Sequence, residues 1–293
     1  MSTLGYVRAY AKINLCLFVG PTRADGRHEL VTLFDSVGLH DELTFSEAQD
    51  GADRVRCDGV QGPNLVGDAL AALRGAGWEA PPLQVTIEKR IPVAAGMGGG
   101  SADAAAVLRA APRLGAIDAG VVCEIAPRLG ADVPSQLRGG PSLGTGAGEL
   151  IEPLEPLEPY GVLVIPQPFP LSTADVYRES DRLGLPRCSA ELDRLRTTLL
   201  AELPRRMAPE LMINDLQAAS LSLAPGISSA LDAATGAGAD RALVCGSGPT
   251  VIGIFRGDDG ARRADEAATA LSEVFPAAIA TGPVGSAQFA RLT

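Results

Sequence analysis

Residues 91–106 read Ile-Pro-Val-Ala-Ala-Gly-Met-Gly-Gly-Gly-Ser-Ala-Asp-Ala-Ala-Ala, and this stretch constrains the fold more than any other. Pro92 opens a loop, glycines follow at 96, 98, 99 and 100, and the alanine run beyond them is a strong helix former. The spacing predicts a helix over 101–114 with Ser101 as its N-cap. Glycines tolerate positive φ and let a ligand approach the backbone, while the helix dipole adds partial positive charge at the same point. Such a loop is either a phosphate cradle or a glycine turn that serves close helix packing. Valine at Gly98 and Gly99 separates the two: a pure cradle loses its anion without losing unliganded stability, and a packing turn loses stability.

The loop is not a Walker A sequence, because neither lysine of the chain follows a glycine, and no G-x-G-x-x-G dinucleotide fingerprint occurs. The V-A-I-K and H-R-D segments of protein kinases are also absent. A chain of 293 residues, 46% hydrophobic and 20% charged, folds on its own. At roughly 150 residues per domain it makes about two domains. Its net charge of −10 argues against nucleic acid as a partner, since that affinity comes from neutralising phosphates with basic side chains. A small anionic molecule held by backbone N–H groups remains compatible with an acidic chain.

Of the 25 basic residues only Lys12 and Lys89 are lysines, so each lysine stands out. The cysteines at 16, 57, 123, 188 and 245 form no C-x-x-C pair, and His28 and His40 are too few for a histidine-rich zinc site. We expect five reduced, mostly buried thiols. The apolar stretch 13–20 is too short for a membrane span and lacks the flanks of a signal peptide. The expectation is a soluble cytoplasmic protein, a monomer or weak homodimer, with no membrane partner.

Alternating or apolar runs predict strands over 6–10, 13–19, 35–45, 53–57 and 83–88. Helices are expected over 64–76, started by Pro63, and over 119–129. Three prolines within 152–159 mark a boundary. Beyond it come a strand over 161–165, helices over 173–183, 190–203, 213–221 and 225–235, strands over 241–245 and 250–255, a helix over 259–274 and a strand near 277–281.

The loop P-x-x-x-G-M-G-x-x-S-x-D-A resembles the phosphate-binding motif of the GHMP small-molecule kinases. Further segments agree in the same order: Ala11-Lys-Ile-Asn-Leu15, Arg23-Ala-Asp-Gly-Arg-His-Glu-Leu30, Leu129-Gly-Ala-Asp-Val-Pro134, Gly144-Thr-Gly-Ala-Gly-Glu149, Ile213-Asn-Asp-Leu-Gln217 and Gly246-Ser-Gly-Pro-Thr250. The resemblance implies the α+β GHMP kinase fold, two domains with the active site in the cleft between them. Residues 1–155 would hold the phosphate loop, the catalytic pair and a left-handed β-α-β unit, and 156–293 a ferredoxin-like domain. It implies ATP-dependent phosphorylation of an alcohol. The D-G-x-H-E-L segment and the extra loop glycine point to the 2-hydroxyl of 4-diphosphocytidyl-2-C-methyl-D-erythritol, in the non-mevalonate route to isoprenoid precursors. Homoserine or mevalonate as acceptor, or nucleotide binding without catalysis, are the alternatives.

Carried over residue by residue, the resemblance makes Lys12 and Asp132 the catalytic pair. Pro92, Ala94, Ala95, Gly96, Met97, Gly98, Gly99, Gly100, Ser101 and Asn64 match the ATP site, with Ser101 and Asp103 as candidate Mg²⁺ contacts. Asn14, Arg27, His28, Tyr177, Gly246, Ser247 and Gly248 match acceptor positions, His28 and Tyr177 lying against the cytosine. By residue type alone, Asp132 reads as a helix cap, Asp103 as a complement to the helix dipole, His28 as a surface histidine, Tyr177 as a core tyrosine, and Asn14 and Asn64 as turn or cap residues. Lys12 inside an apolar strand of an arginine-rich chain is a poor fit to solvent decoration. The chain departs from the pattern where Arg27 replaces an aromatic, and where Ser135 and Gln136 replace aromatics behind Asp132. Arginine stacks on a base through its guanidinium plane, so Arg27 and Tyr177 are expected to sandwich the base. Ser135 and Gln136 suggest only altered packing.

Overall fold

The computed structural model describes residues 3–59, 64–202 and 208–289. Pro63 and Leu203 lie outside the described residues.

Two 20-residue strands, β1 (Thr3–Thr22) and β2 (His28–Glu47), form the antiparallel hairpin on which the first half is built. The sequence reads as two strands around Lys12 because polarity breaks there. The structure carries the strand through, absorbing the break as a register shift between Tyr10 and Ala11. With β3 (Arg54–Cys57), β4 (Leu83–Glu88), β5 (Ser142–Thr145) and β6 (Leu150–Pro153), the hairpin forms one sheet in the order β3-β4-β2-β5-β6, β1 pairing with β2. β3 and β4 are parallel, joined through α1 (Leu65–Gly75). Helices α2 (Gly99–Leu114), α3 (Ala119–Leu129) and α4 (Val133–Arg138) complete this half. The alanines of α2 are almost all buried, which lets this helix approach β1 and α1 closely.

The prolines of 153–159 carry the chain from β6 into a second, four-stranded antiparallel sheet in the order β10-β7-β9-β8. Its strands are β7 (Tyr160–Ile165), β8 (Arg241–Val244), β9 (Val251–Arg256) and β10 (Ile279–Thr281). Helices α5 (Thr173–Arg182), α6 (Ser189–Glu202), α7 (Gln217–Leu223) and α8 (Ile227–Gly236) lie between β7 and β8, and α9 (Gly260–Leu271) precedes β10. With those helices counted as one layer, the order is the β-α-β-β-α-β arrangement of ferredoxin-like domains.

Three expectations need correction. Residues 213–216 are not helical: the backbone of Ile213 and Asp215 pairs with Leu17, and α7 begins at Gln217. The glycine-dense stretch 139–148, for which the sequence predicts no element, contains a strand, β5, which periodicity could not reveal in four residues. Gly140-Pro-Ser-Leu-Gly144 has the G-x-S-x-G spacing, yet Ser142 is buried within that strand and not on the exposed strand-to-helix turn a nucleophile needs. Finally, all five cysteines are free, but only Cys16 and Cys245 are buried; Cys57 is half-buried and Cys123 and Cys188 are exposed.

The halves share one core. Its largest hydrophobic cluster joins β1 residues such as Ile13 and Phe18 to Val162 and Ile254 of the second sheet. Within it, Tyr160 donates its hydroxyl to Asp35 Oδ2 at 2.6 Å, and the Ser36 N–H donates to Asp35 Oδ1 at 2.7 Å. Burial pushes the Asp35 carboxyl up to about 6 against those two bonds. A carboxyl raised on folding takes stability away as pH climbs from its unfolded value toward 6, and the charged form then depends most on its donors. Tyr160→Phe is expected to cost about 1–3 kcal/mol, with a larger fall in Tm at pH 7.5 than at pH 4.5. An equal loss at both pH values would show that the hydroxyl does not support a charged Asp35.

Candidate active site

A cleft of about 1150 Å³ lies between the two sheets, lined by β1, β2, the loop before α2, the start of α4, α5 and the β8–β9 loop. Lys12, Asn14, Asn64, Asp132, Arg27, His28, Tyr177, Gly246, Ser247 and Gly248 all line it, together with Pro92, Ala94, Ala95, Gly96, Gly98, Gly99, Gly100, Ser101 and Asp103. Met97 turns away and is buried beneath the loop.

The loop differs from expectation at its helix start. α2 begins at Gly99, and the N-cap is Gly98 in the left-handed conformation, φ 66° and ψ 27°. Ser101 is thus the third helical residue, its hydroxyl free of capping and lining the cleft. The N–H groups of Gly99, Gly100 and Ser101 have no carbonyl one turn back, so they suit an anion. Ala94 is a non-glycine at φ 54°, a strained conformation of the kind found at ligand loops. The loop is also a packing turn. A Cβ on Gly96 would lie 2.1 Å from the Cys245 carbonyl oxygen, and one on Gly98 2.4 Å from Gln136 Nε2. Cradle and packing turn are one object here, so valine at Gly98 cannot leave stability untouched.

Lys12 is buried. Its ammonium donates to Asn14 Oδ1 at 2.8 Å, lies 3.5 Å from Asp132 Oδ2 and sits 5.5 Å from the centre of the Phe34 ring. Asn14 in turn donates to Thr32 Oγ1, which donates to the Cys16 carbonyl, so the amide cannot rotate away. Asp132 occupies the N-cap position of α4, but its side chain makes no cap bond and faces Lys12. The cap reading of Asp132 therefore does not hold. Asn64 does cap α1, accepting from the Val66 N–H at 2.9 Å, while still lining the cleft.

Sequence reasoning missed a second cluster. Lys89 Nζ lies 2.5 Å from Asp41 Oδ2 and 2.9 Å from Asp103 Oδ2, beside the start of α2. Asp41 Oδ1 accepts the Arg90 and Ile91 N–H groups, anchoring the chain just before the loop. The two carboxylates outweigh burial and raise the Lys89 ammonium, whereas burial pushes Asp103 up to about 7. The signal was available: Lys89 is the only other lysine. This cluster also tests Mg²⁺. Asp103 is already paired to an ammonium, a poor neighbour for a dication, and no group of three or more His, Cys, Asp or Glu among the described residues is placed to hold a metal. The Ser101 hydroxyl fits such a contact and Asp103 does not.

At the opposite end, His28 is buried and not at the surface. Its Nε2 is 2.8 Å from Asp181 Oδ1, and its ring stacks on Tyr177 with centroids 5.2 Å apart. Burial raises the Tyr177 phenol, with the Asp132 charge adding to it. Arg27 does not reach across to Tyr177: its guanidinium forms two bonds to Asp25 Oδ2 at the rim. The loop at Gly246 to Gly248 is held by Asn214, whose amide donates to the Val244 and Gly246 carbonyls. Ser247 Oγ bonds Thr173 Oγ1 at 2.8 Å.

These contacts separate the glycines. Gly98→Ala is expected to destabilise by about 1–3 kcal/mol from its left-handed φ and crowded Cβ. Gly100→Ala, whose Cβ would meet only Leu65 at 3.7 Å, should change stability by less than about 0.5 kcal/mol. Thermal unfolding of the two variants checks the ranking, and equal melting temperatures would contradict it.

Comparison with known proteins agrees with this geometry. Residues 64–140 match the family described as "GHMP kinases N terminal domain" and residues 195–277 "GHMP kinases C terminal". The 4-diphosphocytidyl-2-C-methyl-D-erythritol kinase of Salinispora tropica is 39% identical, covering 96% of this chain and 93% of the relative. That of Streptomyces avermitilis is 40% identical over 96% of this chain and 98% of its own. A crystal structure of 4-(cytidine 5'-diphospho)-2C-methyl-D-erythritol kinase superposes with a TM-score of 0.73 at 32% identity, covering 96% of this chain and all of that one. Homoserine kinase from Cytophaga hutchinsonii, at 19% identity and a TM-score of 0.67, shares the fold. With both halves matched and such relatives covered nearly end to end, the chain belongs to the GHMP kinases, and within them to the family of 4-diphosphocytidyl-2-C-methyl-D-erythritol kinases.

Proposed function

We infer that this protein transfers the γ-phosphoryl group of ATP to the 2-hydroxyl of 4-diphosphocytidyl-2-C-methyl-D-erythritol, in the non-mevalonate route to isoprenoid precursors. The observation that carries the reading is the buried Lys12 ammonium, 3.5 Å from a cleft-facing carboxylate and directly beneath a glycine loop. Homoserine or mevalonate as acceptor is disfavoured by the names of the relatives. Loss of catalysis is disfavoured by the intact Lys12–Asp132 pair.

In this reading the phosphates lie on the N–H groups of Gly99, Gly100 and Ser101, with the base toward Asn64 and Lys89. Ser101 would help to hold Mg²⁺, which would supply charge neutralisation when bound. The acceptor oxygen attacks the γ-phosphorus as the bond to the bridging oxygen breaks and ADP leaves. Asp132 takes the hydroxyl proton, and Lys12 offsets negative charge on the moving group. Lys12 is suited to this because Asn14 fixes its orientation and Phe34 excludes water from one side.

We place the acceptor's cytosine against Tyr177 and His28, with Gly246, Ser247 and Gly248 closing the far wall. Arg27, held at the rim by Asp25, is better placed to attract the diphosphate than to stack on the base. The same reading divides the chain near residue 155, at the proline segment between β6 and β7. No helix among the described residues is long and apolar enough to cross a membrane. A cytoplasmic monomer or weak homodimer suits a small-molecule kinase with free thiols.

An assay coupling ADP release to purified protein, ATP, Mg²⁺ and a panel of acceptors tests the assignment. Asp132→Asn should lower kcat by about 10²–10⁴-fold and Lys12→Ala by about 10²–10³-fold. The double variant should fall well short of the product, because the pair acts as a unit; full multiplicativity would argue that they are uncoupled. Tyr177→Ala should lose about 1–3 kcal/mol of base stacking, read as a rise in acceptor KM with little change in KM for ATP. An unaltered acceptor KM would move the cytosine elsewhere.

A further inference from the structure

Gln136 stands where the family pattern has an aromatic residue, and packing alone would call for an apolar side chain. The structure instead buries a primary amide that is 1% exposed. Its Nε2 donates to the Gly98 carbonyl at 2.8 Å, and its Oε1 has no hydrogen-bond partner among the described residues. Burying an amide with an idle acceptor costs more than burying an apolar side chain of the same shape, so its presence needs a reason.

Its surroundings supply one. A Cβ on Gly98 would lie 2.4 Å from Gln136 Nε2 and 3.1 Å from Lys12 Cγ, so the N-cap of α2 is clamped between this amide and the Lys12 stem. Gln136 is also one helical turn after Asp132, whose carbonyl accepts the Gln136 N–H at 3.4 Å and the Ser135 hydroxyl at 2.9 Å. From the other side, Arg109 of α2 donates to the Gln136 carbonyl at 2.6 Å and to the Arg8 carbonyl at 2.9 Å, with its guanidinium 4.9 Å from the centre of the Phe289 ring. One side chain thus holds the phosphate loop at Gly98, where the Lys12 stem also packs, while its backbone shares a turn with Asp132.

We propose that Gln136 is a positioning residue that fixes the phosphate loop relative to Asp132 and Lys12, so that the transferred phosphoryl and the attacking hydroxyl meet in line. The proposal rests on the kinase reading above. The N–H groups that hold phosphate belong to the loop itself, so Gln136 governs where a bound phosphate sits and not how tightly it binds. A displacement of about 1 Å between reacting groups can cost up to 10²-fold in rate.

The test is Gln136→Met, which keeps the shape and removes the donor, with Gln136→Leu as a second apolar replacement should the first fold poorly. At saturating ATP, Mg²⁺ and acceptor, kcat should fall about tenfold. The dissociation constant for ADP and the acceptor KM should each stay within about twofold, and the melting temperature close to that of the unmodified protein. Gln136→Glu, which sets a carboxylate against the Gly98 carbonyl, should lose more turnover than Gln136→Met. Unchanged kcat in the folded apolar variants overturns the proposal, as does a fall in kcat matched by an equal loss of ADP binding. Absence of turnover in the unmodified protein is a different result, and would defeat the kinase reading itself.

Discussion

A buried ammonium must be met on every side, because an unpaired charge in the interior costs several kcal/mol even after relaxation. Lys12 is that charge, and the cleft is arranged around it. Asn14 and Asp132 meet it with oxygen and Phe34 with the face of a ring. The remaining space is closed by backbone, since a Cβ on Gly246 would come within 3.4 Å of the ammonium and one on Gly98 within 3.2 Å of Lys12 Cε. Both glycine loops are small-residue loops for the same reason: they cover one lysine from two domains. Where the two loops meet, the Cys245 carbonyl leaves no room for a Cβ on Gly96, and the Cys245 thiol donates to the Gly96 carbonyl.

That arrangement explains why the two halves are not separate bodies joined by a linker. β1 carries Lys12 at its centre, pairs with β2, donates the Lys12 N–H to the Met97 carbonyl, and exchanges backbone bonds with Ile213 and Asp215 ahead of α7. The hydrophobic cluster runs through the same strand into the second sheet. A site built on such a strand is held more rigidly than one carried by loops alone, which suits chemistry that depends on placement.

The two lysines divide the site's electrostatics between them. Lys12 faces one carboxylate that stays in reach of the cleft, while Lys89 is saturated by Asp41 and Asp103 and anchors the far end of the loop. Arginine supplies the remaining positive charge and does structural work: Arg74 to Asp53, Arg187 to Asp215, Arg256 to Glu158. Its fork makes paired bonds to a carboxylate, whereas a lysine presents a compact charge that fits beside a phosphate.

What the sequence determined by itself is whatever short-range patterning controls. The alanine run specified α2 and alternation specified β4 to the residue, while the family resemblance carried by the ordered motifs implied one cleft for Lys12, Asp132, His28 and Tyr177, all of which line it. Tertiary structure decided what depends on partners distant in the chain. Whether Asp132 caps a helix or faces an ammonium turns on β1, 120 residues earlier, and whether Gly98 or Ser101 caps α2 turns on the amide of Gln136 and the stem of Lys12. His28 was drawn to Asp181, 153 residues later, by a charge that no local pattern links to a base. Residues 213–216 left the helix they resembled because Asn214 bonds the carbonyls of Val244 and Gly246 more usefully from an extended backbone. In each case a long-range hydrogen bond or ion pair outweighed a local preference worth less than about 1 kcal/mol per residue.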